Sequence, residues 1–281
     1  AANEPDGALT LNPSSEEYYP TCAVNALLTI LRDPSLNSHH QNAVVSIMYM
    51  FSSLGLRCVP FLTQIMPSLL HLVRSSEARF KEFLFQQLGV LVTIVKQHIR
   101  DYLTDIFKLV KEFWNAHMFN IATLVEKVAI ALNDEFTSYM PVVMPLILSV
   151  FHSEQPSSKR RTIRLAQTLE VFGTLLDDYQ HVVLPALVKL FEIEHPEDDI
   201  DVAIAAIRCV GRLSTKLPIQ DFAARIIHPL LRAMDPSQSF TLVNTEPSLI
   251  AKEFGSGTPG FASSASLRDL SVASATAQQQ M

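Results

Sequence analysis

The feature that most restricts what this chain can fold into is an apolar, proline-bearing segment that keeps returning. Residues 139–151 read Tyr-Met-Pro-Val-Val-Met-Pro-Leu-Ile-Leu-Ser-Val-Phe, and residues 61–73 read Phe-Leu-Thr-Gln-Ile-Met-Pro-Ser-Leu-Leu-His-Leu-Val. Residues 179–191 read Tyr-Gln-His-Val-Val-Leu-Pro-Ala-Leu-Val-Lys-Leu-Phe, and residues 222–234 contain Arg-Ile-Ile-His-Pro-Leu-Leu-Arg. A fifth version, residues 102–113, carries Lys108 at the proline position. Aligned on Pro67, Lys108, Pro145, Pro185 and Pro229, the steps are 41, 37, 40 and 44 residues. A step near 40 filled with helix is the mark of stacked helix pairs, each pair burying its apolar faces on its neighbours.

The segments between the proline copies support a first helix in each pair. Ile121, Leu124, Val125, Val128, Leu132 and Phe136 fall at helical spacing, and Val202, Ala205, Ala206, Cys209, Leu213 and Leu217 repeat the same offsets. Such a stripe covers one face of an amphipathic helix. First helices are therefore expected at about 77–99, 117–135, 158–178 and 200–217, and second helices at about 101–114, 138–152, 180–192 and 220–234. Before them, a helix from about 16 to 32 follows the Ser14-Ser15-Glu16-Glu17 start signal, and helices at 39–54 and 58–74 form a further pair, with Gly55 as cap. The expected fold is all-α: an α-solenoid of about five antiparallel pairs of the HEAT or armadillo kind plus a leading helix. Its expected domains are a flexible arm (1–12), the solenoid (13–235) and a mostly disordered tail (236–281), whose last part is rich in Gly, Ser, Ala, Thr and Gln. The first helix and the last pair are apolar on more than one face, so the array is expected to continue beyond this chain.

Composition narrows the function classes. With 281 residues and a net charge of −6, general nucleic-acid binding is not expected. Cys22, Cys58 and Cys209 are isolated and odd in number, which points to a reducing compartment and away from a disulfide framework. The longest uncharged run, 136–153, holds Pro141, Pro145, Ser138 and His152, and reads as a buried repeat helix, so no transmembrane segment is expected.

Chemistry-bearing constellations are few. Lys159, Arg160, Arg161 and Arg164 form the one dense basic cluster and the candidate partner-binding site, suited to an acidic segment or an inositol phosphate. Glu197, Asp198, Asp199 and Asp201 suit a helix N-terminus rather than a metal. His39 and His40 lack a third ligand nearby. Cys58, Cys209 and Trp114 read as core. Arg268-Asp269-Leu270-Ser271 is a candidate phosphorylation site in the tail. Catalytic, cofactor-binding and metal sites are all expected to be absent.

Several strings carry a resemblance. Glu16-Glu17-Tyr18-Tyr19-Pro20, residues 25–36 (Asn-Ala-Leu-Leu-Thr-Ile-Leu-Arg-Asp-Pro-Ser-Leu), residues 82–89 (Glu-Phe-Leu-Phe-Gln-Gln-Leu-Gly), Leu176-Asp177-Asp178-Tyr179 and residues 225–229 (Arg-Ile-Ile-His-Pro) resemble the target-of-rapamycin kinase family. The resemblance spans roughly 13–235, in the middle of that family's helical-repeat region. It implies a non-catalytic scaffold segment of a large serine/threonine kinase in growth and nutrient signalling. No Gly-rich phosphate loop, catalytic-loop Asp/Asn pattern or Asp-Phe-Gly occurs, so no catalytic residue carries over. The implied partners are proteins: accessory subunits of the kinase complex and a second copy of the parent chain. The implied location is the cytoplasm, with access to endomembrane surfaces or the nucleus through the complex. The alternative reading is a HEAT-repeat adaptor of the nuclear-transport or phosphatase-scaffold type.

Overall fold

A computed structural model describes residues 16–152, 158–191 and 196–234, with the side chains of 196–199 and 233–234 outside that description. The chain divides into a compact unit, Ala1–Gln238, and a second unit, Ser239–Met281, and every described residue belongs to the first. The expected arm (1–12), the tail (236–281) and its Arg268–Ser271 motif lie outside the described residues.

The described residues are helical, with no strand among them. The helices are α1 (Tyr18–Arg32), α2 (Asn37–Leu54), α3 (Leu62–Ser75), α4 (Ala78–Val95), α5 (Leu103–Leu132), α6 (Met140–Phe151), α7 (Lys159–Phe172), α8 (Gln180–Lys189), α9 (Pro196–Leu213) and α10 (Ala223–Met234). In chain order, first and second helices alternate as the period requires: α2 then α3, α4 then the first half of α5, its second half then α6, α7 then α8, and α9 then α10. First helices pack on first helices (α2 on α4, α4 on α5, α5 on α7, α7 on α9), and second helices on second helices (α3 on α5, α5 on α6, α6 on α8, α8 on α10). The chain is an all-α helical-repeat array.

α2 ends at Leu54 with Gly55 as its cap, as expected, whereas α4, α5, α7 and α9 stop three to six residues earlier than their apolar period suggests; at α2, α4, α5 and α7 the stop is set locally. Gly55, Lys96, Asn133 and Gly173 adopt positive φ of 58°, 51°, 48° and 52°, with ψ of −135°, −124°, −126° and −115°. This is the backbone of the first central position of a type II′ turn, which reverses the helix path in one step. Each corner residue donates its N–H to the carbonyl four residues back, closing the last turn of the helix. A 3-10 segment of seven residues follows each time: Gly55–Phe61, Lys96–Tyr102, Asn133–Tyr139 and Gly173–Tyr179. The third residue past each corner plugs the core: Cys58, Ile99 and Phe136 at 0% exposure and Leu176 likewise at 0%. That is why Phe136 continued the apolar period of α5 although it lies outside the helix.

The corner sets the phase of the second helix. Each begins one residue after the aromatic that ends the 3-10 segment (Phe61, Tyr102, Tyr139, Tyr179), and the proline position is its sixth residue. A proline there removes one intrahelical hydrogen bond and disfavours a straight helix. Pro67 and Pro145 are exposed and Pro185 half-buried, so the lost donor faces outward. The last pair departs from this plan. Pro229 is the seventh residue of α10, it is buried, and the preceding corner has only a short 3-10 turn, Gln220–Phe222.

The second helix expected at 101–114 and the first helix expected at 117–135 both form, and they meet at a kink with no loop between them. They form one run, α5, broken only at His117 (φ −128°, ψ 30°). His117 is buried against Phe85 and Phe113, with ring centroids 6.1 Å and 6.5 Å away. The aromatic packing holds the break without any loop residues. Lys81 on α4, which the sequence did not single out, is buried, its Nζ 3.8 Å from the centre of the Phe113 ring, a cation–π seat that replaces its lost water.

The stretch Pro34–Ser75 is long and apolar enough, by length and composition, to cross a membrane. In the fold it doubles back at Gly55, and Val44, Ile47, Phe51, Ile65 and Leu69 sit in the core between α1 and α4.

Candidate partner-binding surface

The basic cluster expected at the start of α7 is divided by the fold. Arg164 faces inward toward α5. Its guanidinium grips both carboxylate oxygens of Glu126 (2.5 Å and 2.8 Å) and donates to the hydroxyls of Thr123 (3.0 Å) and Thr168 (3.1 Å). The two side chains of the pair are 20% and 14% exposed, so Arg164 is a strut between neighbouring repeats and is unavailable to a partner. Arg160 and Arg161 are exposed. Arg161 Nη2 donates weakly to the carbonyl of Asn115, 3.4 Å away, which lays it across the end of the first half of α5. Lys159 opens α7 and is half-buried.

Other pairs stitch the array at equivalent places. Arg212 on α9 reaches Glu170 on α7 (2.6 Å), and Lys216 Nζ reaches the Glu170 carbonyl (3.1 Å). Arg100 and Glu135 join consecutive corners at 2.7 Å, and Arg74 on α3 lies 3.7 Å from Glu112 on α5.

The sequence did not single out the exposed face of the second helices. The proline position and the residues four before it and three, four and seven after it share one side of each of these helices. On α3 that side presents Pro67, His71 and Arg74; on α5, Lys108, Lys111, Glu112 and Asn115; on α6, Pro141, Pro145, Ser149 and His152; on α8, His181 and Lys189; on α10, Arg225 and Arg232. The ends are cationic and the middle is uncharged, although the chain carries a net charge of −6. Lys108 is held by Asp105 at 2.8 Å, and that hydrogen bond and charge hold the Asp105 carboxyl below the usual range. Among the described residues, Lys111, Lys189, Arg225 and Arg232 make no ion pair. Because Arg161 rests on Asn115, the exposed part of the basic cluster joins this face at the end of the first half of α5. Only the helix phase could have found the face from sequence. The phase depends on the corner, and two of the four corner residues are not glycine.

The remaining candidates fall into structural roles. His40 is buried with Nε2 3.0 Å from the Asp33 carbonyl oxygen, while His39 is exposed. Cys58 and Cys209 are core; burial pushes their thiols up, to about 11 and about 12. Cys22 is exposed. Trp114 is buried as expected, and its Nε1 has no hydrogen-bond partner among the described residues. Among the described residues no cluster of His, Cys, Asp and Glu could hold a metal ion, and Asp201 of the acidic run is exposed. An open groove of about 600 Å³ lies where α1 and α3 end and α2 and α4 begin, lined by Arg32, His71, Ser75 and Glu77 among others. Its mixed charge gives it no convergent chemistry.

Comparison with known proteins identifies the family. The family model described as the serine/threonine-protein kinase mTOR domain matches residues 2–96. The serine/threonine-protein kinase mTor of Drosophila melanogaster is 43% identical over 223 residues, covering 78% of this chain and 9% of the relative. The serine/threonine-protein kinase TOR of Arabidopsis thaliana is 38% identical over 239 residues (80% and 10%), and TOR2 of Saccharomyces cerevisiae is 35% identical over 227 residues (80% and 9%). The chain thus spans about a tenth of the length of the curated relatives it matches. The repeats, their period and this identity, sustained across four-fifths of the chain, place it in the target-of-rapamycin kinase family, as a segment of that family's helical-repeat region.

Proposed function

We propose that this chain is a non-catalytic scaffold segment that helps hold a target-of-rapamycin-type kinase complex together, through contacts with accessory subunits and with a second copy of the parent chain. The observation that carries the reading is the 43% identity to a kinase of which the matched stretch is only 9%. A helical-repeat segment inside a very large enzyme offers extended helix faces rather than an enclosed reaction chamber. Arg160, Arg161 and Lys159, together with the second-helix face, are the surface through which a protein partner docks. The working compartment is the cytoplasm, with endomembrane surfaces or the nucleus reached through the complex; three cysteines with no disulfide among them agree with a reducing milieu.

The test is reconstitution. The purified chain is mixed with the parent kinase and, separately, with each accessory subunit of its complex, and run on analytical size exclusion. Co-elution with at least one of them is expected, with no transfer of phosphate from ATP to a peptide substrate by the chain alone. Co-elution with none would defeat the scaffold reading, and phosphotransfer by the isolated chain would defeat its non-catalytic part.

A further inference from the structure

We propose that the second-helix face binds an extended acidic segment of a partner protein, with carboxylates at both ends and an uncharged, apolar centre. This rests on the scaffold reading and names the chemistry that the docking surface selects.

The surface has three zones. On one side stands Lys111 on α5, exposed and without an ion pair among the described residues. On the other side stand Lys189 on α8 and Arg225 on α10, also exposed and without such a pair. Between them α6 presents Pro141 and Pro145, with half-buried Val142, Leu146 and Leu148 beside them. A cationic residue left without a partner on a net-acidic chain is complementary to an anion from elsewhere. Solvated cations alone would be unremarkable, but here they bracket a helix whose exposed side has no charge at all.

Spacing selects an extended segment. Neighbouring second helices pack at roughly 9 Å between axes, so Lys111 and Lys189, two helices apart, stand roughly 20 Å from one another. An extended chain advances about 3.4 Å per residue, so roughly six residues separate the two acidic ends of the partner. Those six lie over α6 and meet prolines and aliphatic edges, which favours apolar or proline residues there. A helix of the same length would advance only about 9 Å and would miss one cationic zone. An anionic membrane would satisfy the cations but has no use for the fixed spacing.

The test uses the full 281-residue chain and a fluorescein-labelled peptide, Glu-Glu-Glu-Leu-Pro-Val-Leu-Pro-Leu-Glu-Glu-Glu, read by fluorescence anisotropy. Saturable binding is expected. It should weaken at least tenfold in the triple variant Lys111→Glu, Lys189→Glu, Arg225→Glu, and should weaken as salt rises. Arg208→Glu, on the exposed side of α9, should leave it unchanged. A peptide with the same residues but all six glutamates together should bind at least fivefold more weakly. Absence of binding, an unaffected triple variant that melts with the parent, or equal binding of the two peptides would overturn the proposal. So would tighter binding to phosphatidylserine vesicles than to the peptide. If the triple variant loses the peptide but still co-elutes with an accessory subunit, that subunit docks elsewhere, and the scaffold reading stands apart from this one.

Discussion

One backbone conformation recurs at four positions and in three residue types: two glycines, a lysine and an asparagine. Left-handed φ costs an L-residue about 1–2 kcal/mol and costs glycine almost nothing. At Gly55 an added Cβ meets nothing within 4 Å, so the strain there is purely conformational. Gly55→Ala should therefore lower stability by about 1 kcal/mol, and Lys96→Gly should raise it by a similar amount. Urea melts of both variants check this; the same sign for both would mean that the corner is not what limits these sites. Gly173 is different, because its added Cβ would also stand 2.9 Å from Lys216 Cδ, so Gly173→Ala should cost more than Gly55→Ala. The buried thiols give a pH dependence with a defined sign. Cys58 ionises at about 11 in the fold against 9.0 in the open chain. Between those values the unfolded chain releases its proton first, so stability should fall as pH rises from 9.0 toward 11. Cys58→Ala should flatten that part of the curve, as thermal melts across this range would reveal.

At the scale of the element, helix identity was legible, whereas of the ends of the first helices only that of α2 at Gly55 was. The stripe through Ile121, Val125, Val128 and Leu132 is buried as its period requires. Leu132→Asp should place an unpaired charge between repeats and cost several kcal/mol; a melting temperature within a degree or two of the parent would show that this face is not the core face. The other ends were misread because the period runs through the corner. Phe136 and Leu217 keep the helical spacing while lying outside the helices, because the 3-10 segment or loop that follows turns them back into the same core. Arg164 was read as part of a docking cluster and proved to be a strut. No local signal separates it from Arg160 and Arg161, because its partner Glu126 is 38 residues away. Glu126→Gln should cost about 3 kcal/mol by leaving the guanidinium uncompensated, whereas Arg164→Met with Glu126→Leu should be close to neutral. A double-mutant cycle in guanidinium chloride would resolve the two.

For the repeat unit as a whole, stability is a sum of pair terms and nearest-neighbour interfaces. α5 packs against α3, α4, α6 and α7, whereas α10 packs chiefly against α8. Hydrogen exchange should therefore be slowest in α4, α5 and α7 and fastest in α1 and α10. Equal protection throughout would mean that the array unfolds as one cooperative block.

The amino-acid sequence by itself determined the fold class, the number of helix pairs, their step of about 40 residues and the family, because all of these reside in local periodicity and in contiguous strings. Tertiary structure alone decided that α5 bends at His117 without a connecting loop, that Lys81 is buried, and that Arg164 is consumed internally while cations without an ion pair flank the uncharged side of α6. The physical reason is the same in each case. These outcomes depend on which groups from other repeats arrive beside a residue, and their partners lie some 32 to 46 positions away, beyond the reach of any local pattern.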